Sequence, residues 1–187
     1  MDNILFINAT LRPESRTMIL AKHVLAKLEG KIIEVNLEKE QIPALDLEQM
    51  KLRDRLSSEG KTDDPVFHYA HLLREADIIV VAAPYYDLSF PASLKNFVEA
   101  SNIVGIPYKY EGVDPTPLCR ARKLFYVTTA GGPILSDEFG YGYIKKVAEY
   151  FYGIQDFFYV KAENLDIYGS DPGKIMIEAM NYINEEM

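Results

Sequence analysis

The feature that most constrains this sequence is the apolar run at residues 78–83, Ile-Ile-Val-Val-Ala-Ala, in which polar and apolar residues do not alternate. A strand with this pattern is buried on both faces, as in a parallel sheet that helices cover on either side. Further short strands are indicated by the stretches at 4–7, 32–35, 124–128 and 157–160. The chain therefore predicts a buried sheet of five strands.

Helical patterns fill the intervals between these strands. Apolar residues recur at helical spacing in segments 16–29, 65–75, 91–104, 138–152 and 172–185. A mixed-charge stretch at 45–60 predicts an exposed helix. Gly30 is a candidate stop for the first helix, and Asp171 before Pro172 is a start signal for the last.

The alternation of strand and helix predicts one three-layer α/β domain over residues 1–187, built on a parallel sheet. Segment 105–120 breaks the pattern, because it contains Gly105, Pro107, Gly112, Pro115 and Pro117. We predict that this segment is an irregular insertion near the ligand site.

Composition excludes several functional classes. A length of 187 residues suits one compact domain, and a net charge of −8 disfavours a general nucleic-acid binder. The single cysteine, Cys119, leaves no internal disulfide and no multi-cysteine metal site. No apolar run approaches the roughly 20 residues of a membrane span. The N-terminal residues lack the basic start of a signal peptide. We expect a cytoplasmic protein without membrane insertion.

The loop after the first strand is the first candidate ligand site, because ligands of parallel sheets bind beyond the carboxyl ends of the strands. Thr10, Ser15, Arg16 and Thr17 lie there, just before or at the start of a helix, where free N–H groups favour a phosphate. The alternative is that Ser15 or Thr17 only caps the helix. Neither G-x-G-x-x-G nor G-x-x-x-x-G-K-[ST] occurs, which excludes a standard Rossmann site and a Walker NTPase.

The loops after the third and fourth strands favour a flat ligand. Residues 84–91 place two tyrosines and a phenylalanine between prolines, which suits a planar ring, although the aromatics of a tight turn could instead pack on the core. Residues 128–133 contain a Gly-Gly pair that lets the backbone approach a ligand, although an ordinary turn is the alternative. Three such loops at the expected strand ends are stronger evidence for a ligand site than any one loop alone.

Several segments resemble motifs of the flavodoxin-like FMN-dependent NAD(P)H:quinone oxidoreductases, in particular the NADH-azoreductase branch. Residues 82–87 resemble A-A-P-M-Y-N, and 94–97 resemble L-K-N-[YF]. Residues 105–110 match G-x-x-F-x-Y with Tyr for Phe, 128–132 resemble T-S-R-G-G, and 150–154 are similar to part of FLGFIGI. The resemblance covers nearly the whole chain.

The resemblance implies a flavodoxin-like sheet of order 2-1-3-4-5, FMN as cofactor, and a homodimer with its site at the interface. Ser15, Arg16 and Thr17 would hold the FMN phosphate, with Thr10 nearby. The ribityl chain and isoalloxazine would be lined by Pro84, Tyr85, Tyr86, Asp87 and Leu88. The pyrimidine side of the ring would be contacted by Thr129, Ala130, Gly131 and Gly132. The substrate side would be walled by Phe97, Tyr108 and Tyr110, partly across the dimer.

The resemblance also implies the reaction. NAD(P)H would give a hydride to flavin N5 and leave, and a quinone or azo compound would then accept two electrons by a ping-pong mechanism. No general base is needed, and none is predicted. His68 and His71 indicate a solvated helix face rather than a metal site. The alternatives are a flavodoxin-type electron carrier and a regulatory subunit of a potassium-efflux transporter.

Three positions depart from the family pattern. Asp87 stands where the family often has Asn, and a carboxylate near the flavin would disfavour an anionic reduced ring. The carboxylate could instead point away while the backbone N–H still reaches the ring. Ala130 replaces an Arg near the nicotinamide or substrate, and Tyr85 replaces a Met. The change at Ala130 bears on which nicotinamide donor is preferred, and the change at Tyr85 bears on the exposed face of the flavin ring.

Overall fold

The computed structural model describes residues 1–187 and has a five-stranded parallel sheet at its centre. Its strands are β1 (Asp2–Asn8), β2 (Gly30–Asn36), β3 (Ile78–Ala82), β6 (Lys123–Thr129) and β7 (Asp156–Ala162). Strands β4 (Tyr108–Tyr110) and β5 (Pro115–Pro117) form a separate antiparallel pair. The order in the large sheet is β2-β1-β3-β6-β7, which confirms the flavodoxin-like order 2-1-3-4-5.

Seven α-helices accompany these strands: α1 (Arg16–Leu25), α2 (Leu37–Glu40), α3 (Leu47–Ser58), α4 (His68–Glu75), α5 (Ala92–Ser101), α6 (Tyr141–Tyr152) and α7 (Pro172–Glu186). A 3-10 turn at Pro65–Phe67 leads into α4. The short helix α2 was not predicted from the sequence. None of the helices combines the length and apolarity that crossing a bilayer requires.

The buried run in β3 has the predicted role. Ile79 and Val81 pack with apolar side chains of α4, α5 and α6 on one face of the sheet. Val80 and Ala82 pack with those of α1 and α7 on the other face. Because successive side chains of a strand point to opposite faces, a strand covered on both faces needs apolar residues at every position.

Gly30 does not stop the first helix, contrary to the prediction. Helix α1 ends at Leu25, and Gly30 is the first residue of β2. A Cβ at Gly30 would lie 2.5 Å from the carbonyl oxygen of Asp2, so glycine lets β2 approach β1. Asp171, in contrast, caps α7 as predicted, because its Oδ1 accepts a hydrogen bond from the N–H of Lys174 at 3.0 Å.

The prediction that 105–120 is irregular is wrong in part. The segment contains the β4–β5 hairpin and is therefore not wholly irregular. It also lies at the amino ends of the strands, because the chain beyond β5 is bound there: Arg120 N donates to Arg74 O, and Arg122 N donates to Asp77 O, both at 3.1 Å. Asp77 directly precedes β3. The hairpin thus lies at the amino ends of the strands, opposite the carboxyl ends where the ligand loops are expected.

Candidate functional site

The loops after β1, β3 and β6 meet at the carboxyl ends of their strands. Ala9 N donates to Ala82 O at 2.9 Å, which joins the end of β1 to the end of β3. Tyr85 N donates to Thr129 O at 3.0 Å, which joins the loop after β3 to the end of β6. The parallel order of the strands therefore brings together the three loops that were selected from the sequence.

The hydroxyl groups near the start of α1 have partners within the protein. Ser15 is the N-cap residue, and its Oγ accepts from Met18 N at 3.3 Å. Thr10 Oγ1 donates to Asn8 Oδ1 at 2.7 Å. The capping interpretation of Ser15 is thus correct. It does not exclude an anion, because the first N–H groups of a helix have no intrahelical acceptors and attract negative charge.

Thr17 connects the start of α1 to strand β6. Its Oγ1 lies 2.7 Å from Oγ1 of Thr129, and the two residues are only 1% and 8% exposed. One buried hydroxyl satisfies the other, so the contact fixes the phosphate-suited helix end relative to the Gly131–Gly132 loop.

Arg16 is bound by a residue that the sequence analysis did not select. Its Nη1 and Nη2 donate to Oδ1 and Oδ2 of Asp166 at 2.9 and 3.0 Å, and Nη1 also donates to Leu165 O at 3.3 Å. The hydrogen bonds from Arg16 lower the pKa of Asp166, and those to Asp166 raise the pKa of Arg16. The side chain that was predicted to bind phosphate, Arg16, is thus already paired with a carboxylate.

The turn at residues 86–89 is strained. Tyr86 N donates to Ser89 O at 2.9 Å and Ser89 N donates to Tyr86 O at 2.8 Å. The two residues between them, Asp87 and Leu88, have φ angles of +49° and +67°, which are uncommon for residues other than glycine. Both are exposed. A tight turn of this kind presents backbone N–H groups outward, and strained backbone often occurs at ligand sites.

Pro84 and Tyr85 complete the loop after β3. Pro84 is buried, and the ring of Tyr85 is half-buried. The hydroxyl of Tyr85 is buried without a hydrogen-bond partner, which is unusual and costly for a buried polar group.

The loop after β6 is fastened to a fourth loop, which follows β7. Asp166 N donates to Gly131 O at 2.8 Å, and Asn164 N donates to Gly132 O at 2.9 Å. A Cβ at Gly131 would lie 2.5 Å from Oδ2 of Asp166, whereas one at Gly132 would meet nothing within 4 Å. Ala130 is buried, so it offers little side-chain surface to a ligand. The strand-end rule applied to β7 would have found this fourth loop.

The three predicted substrate residues do not line these loops within one protomer. Phe97 is 2% exposed and belongs to the core under α4, α5 and α6, so its assignment to the substrate wall is corrected to a packing role. Tyr108 is buried against Phe151, with ring centroids 4.6 Å apart. Tyr110 is 49% exposed, but it lies on the hairpin at the opposite edge of the sheet.

His71 and Cys119 lie outside these loops. His71 Nε2 lies 2.7 Å from Thr62 O. Cys119 is half-buried, and desolvation raises the pKa of its thiol to about 12. No three His, Cys, Asp or Glu side chains lie together in a way that could hold a metal ion.

The loops fit a phosphate joined to a flat ring. The start of α1 supplies unpaired N–H groups, and the Asp87–Leu88 turn and the Gly131–Gly132 backbone lie at the adjacent strand ends. The unpartnered Tyr85 hydroxyl at the same loops is an orphaned polar atom that a bound ligand could satisfy.

Comparison with known proteins places this geometry in a family. The family model of the flavodoxin-like fold matches residues 2–183. The chain is 34% identical to "FMN-dependent NADH:quinone oxidoreductase 2" of Clostridium acetobutylicum, over 100% of this chain and 98% of that protein. It is 30% identical to the "FMN-dependent NADH:quinone oxidoreductase" of Clostridium beijerinckii, over 99% and 98% of the two chains.

Solved structures show the same fold. An azoreductase from Bacillus anthracis str. Sterne superposes with a TM-score of 0.84 at 21% identity, over 100% of this chain and 98% of that one. An FMN-dependent NADH-azoreductase from Bacillus anthracis str. Ames Ancestor, solved in complex with FMN, gives 0.82 at 20% identity, over 100% and 97%. The chain therefore belongs to the flavodoxin-like family that includes the FMN-dependent NADH:quinone oxidoreductases.

Proposed function

We propose that this protein is a cytoplasmic FMN-dependent NADH:quinone oxidoreductase that passes two electrons from the nicotinamide to a quinone or an azo compound. The full-length similarity to the clostridial enzymes supports this function. The observation that carries it is the meeting of three ligand-suited loops, tied together by the Thr17–Thr129 and Tyr85–Thr129 hydrogen bonds.

Each loop has a distinct part in holding FMN. The N–H groups at Arg16 and Thr17 would bind the phosphate, because the start of a helix carries partial positive charge. The outward N–H groups of the Asp87–Leu88 turn would bind the polar edge of the ring, and the Gly131–Gly132 backbone would hold its pyrimidine side. When bound, FMN supplies the hydride and two-electron chemistry, while the protein provides position and electrostatics.

The departures from the family pattern act on the electrostatics of the site. The exposed Asp87 carboxylate lies on the turn that binds the ring, so it opposes negative charge there and lowers the reduction potential. Ala130 provides no cation on the substrate side.

The β4–β5 hairpin serves the site of a second protomer in this proposal. The hairpin lies far from the loops of its own chain, and its tip exposes Tyr110 and Val113, the latter 92% exposed. In a homodimer these side chains would cover the substrate side of the partner's site. Tyr108, which is buried against Phe151, would hold the hairpin in shape.

An anaerobic titration tests the proposed function. The protein is saturated with FMN, and the visible flavin absorbance is followed as NADH, then NADPH, and finally a quinone is added. We expect stoichiometric bleaching by NADH and recovery of the absorbance with the quinone. Bound FMN that neither nucleotide reduces would favour the electron carrier or the regulatory subunit. Failure to bind FMN would remove the basis for the proposal.

A further inference from the structure

The Arg16–Asp166 pair lies between two of the ligand loops. Arg16 is the first residue of α1, at the expected phosphate site. Asp166 is bound through its backbone to Gly131 O, and its Oδ2 occupies the space that a Cβ at Gly131 would need. The carboxylate of Asp166 therefore reaches from the ring loop to the phosphate loop.

The pair engages the edge of Arg16 that recognises anions. Three hydrogen bonds, two to the Asp166 carboxylate and one to Leu165 O, occupy three of the five N–H donors of a guanidinium. A guanidinium binds phosphate through the same parallel pairs of N–H groups. A phosphate that binds Arg16 through two hydrogen bonds must therefore displace the carboxylate or share the cation with it.

Stability does not explain this arrangement. The side chains of Arg16 and Asp166 are 33% and 65% exposed, and ion pairs that are exposed to this degree add little to folding. Backbone hydrogen bonds from Asn164 and Asp166 already hold the loop after β7 in place. At the phosphate site the same carboxylate acts directly, because it offsets the charge of the side chain that would attract the dianion.

We propose that Asp166 is an intramolecular competitor for Arg16, and that it weakens the binding of the FMN phosphate and so sets the affinity for the cofactor. This inference rests on the proposed function and concerns the regulation of the same site. Asp166 acts through Arg16 and is therefore a positioning residue.

The test compares FMN with riboflavin, which has the same ring and no phosphate. Dissociation constants are measured by flavin fluorescence for the wild-type protein, Asp166→Asn and Asp166→Ala. We expect both variants to bind FMN about two- to fivefold more tightly, the size expected for one partly exposed charge pair. We expect no change for riboflavin. The gain for FMN should shrink at high salt, because counterions screen exposed charges.

Two controls separate this effect from general ones. Asp156→Asn removes the same charge at the amino end of β7, and it should leave FMN binding unchanged. In an Arg16→Gln background, the Asp166→Asn change should lose most of its effect, because the side chain for which the carboxylate competes is gone. Thermal unfolding of the ligand-free variants checks that they are folded.

The outcomes distinguish the two proposals. Unchanged or weaker FMN binding in both Asp166 variants would overturn the competitor role, as would equal tightening of FMN and riboflavin. If the wild-type protein binds no FMN, the proposed function fails, and inorganic phosphate becomes the probe. Asp166→Asn should then be thermally stabilised at lower phosphate concentrations than the wild type. An identical response of the two proteins would refute the competition.

Discussion

The hydroxyl groups of Thr17 and Thr129 meet at 2.7 Å in the interior of the protein and join the first helix to the fourth strand of the main sheet. The two residues are 112 positions apart in the chain, and each lies next to one of the ligand loops. Because both hydroxyls are buried, each depends on the other for its hydrogen bond.

Removal of one threonine hydroxyl should destabilise the protein more than removal of both. Thr17→Val leaves the hydroxyl of Thr129 buried and unpaired, at a cost of about 1–3 kcal/mol in the free energy of unfolding. Thr17→Val with Thr129→Val should recover part of that loss, because two matched apolar groups replace the pair. Urea unfolding of the single and double variants measures the coupling. Strictly additive losses would mean that the hydroxyls are satisfied independently.

A side chain at Gly131 should displace the Asp166 carboxylate and cost a small amount of stability. Gly131→Ala places a Cβ 2.5 Å from Oδ2 of Asp166, so the carboxylate must move and its contact with Arg16 is disturbed. Gly132→Ala is the matched control, because open space surrounds that position. We expect a lower melting temperature for Gly131→Ala than for Gly132→Ala. Asp166→Ala should remove most of the difference, and a difference that persists would place the clash elsewhere.

The fold could be predicted because its main signals are local. The unbroken apolar run of β3 indicates a doubly covered strand, and the alternation of strands and helices indicates the layers. The strand order came from the family resemblance. The helix boundary near Gly30 was predicted wrongly, because the close approach of β2 to Asp2 depends on tertiary contacts.

The site was predicted less completely, for a different physical reason. Asp166 lies 150 positions from Arg16, and no local sequence pattern predicts that the two side chains pair. Phe97 has the helical spacing of a core residue relative to Leu94, and the structure buries both. The hairpin with Tyr110 was expected to wall the substrate side partly across a dimer, and within one protomer it lies at the amino ends of the strands.

Leu88 is the position where glycine should stabilise the protein. Its φ of +67° is unfavourable for a residue with a Cβ, and its side chain is exposed, so little packing is lost on truncation. We expect Leu88→Gly to raise the free energy of unfolding by about 0.5–1 kcal/mol, the difference between relieved strain and the larger entropy of the unfolded chain.

The reverse substitution at another position with positive φ controls for the general effect of glycine on stability. Gly153→Ala should lower stability, because Gly153 has a φ of +73° and its Cβ would lie 2.9 Å from Pro117. If Leu88→Gly destabilises the protein, the Leu88 side chain must make a contact that outweighs the strain. FMN affinity should be preserved in Leu88→Gly, since the proposed contact at this turn uses the backbone.

Cys119 should be unreactive in the folded protein at neutral pH. Burial raises the pKa of its thiol to about 12, so almost no thiolate, the reactive form, is present. Iodoacetamide at pH 8 should therefore label the urea-unfolded chain much faster than the folded one, as followed by mass spectrometry.

The same pKa shift makes a prediction for stability at high pH. The folded-state pKa lies above the usual value of 9.0, so the unfolded chain loses this proton first as the pH rises. The contribution of Cys119 to stability is thus complete below about pH 9 and declines as the pH approaches 12. Cys119→Ala should show a shallower loss of stability between pH 9 and 10.5 than the wild type, within the range where protein unfolding is easily measured. Equal slopes, or rapid labelling of the folded protein, would show that the thiol is more accessible than its burial implies.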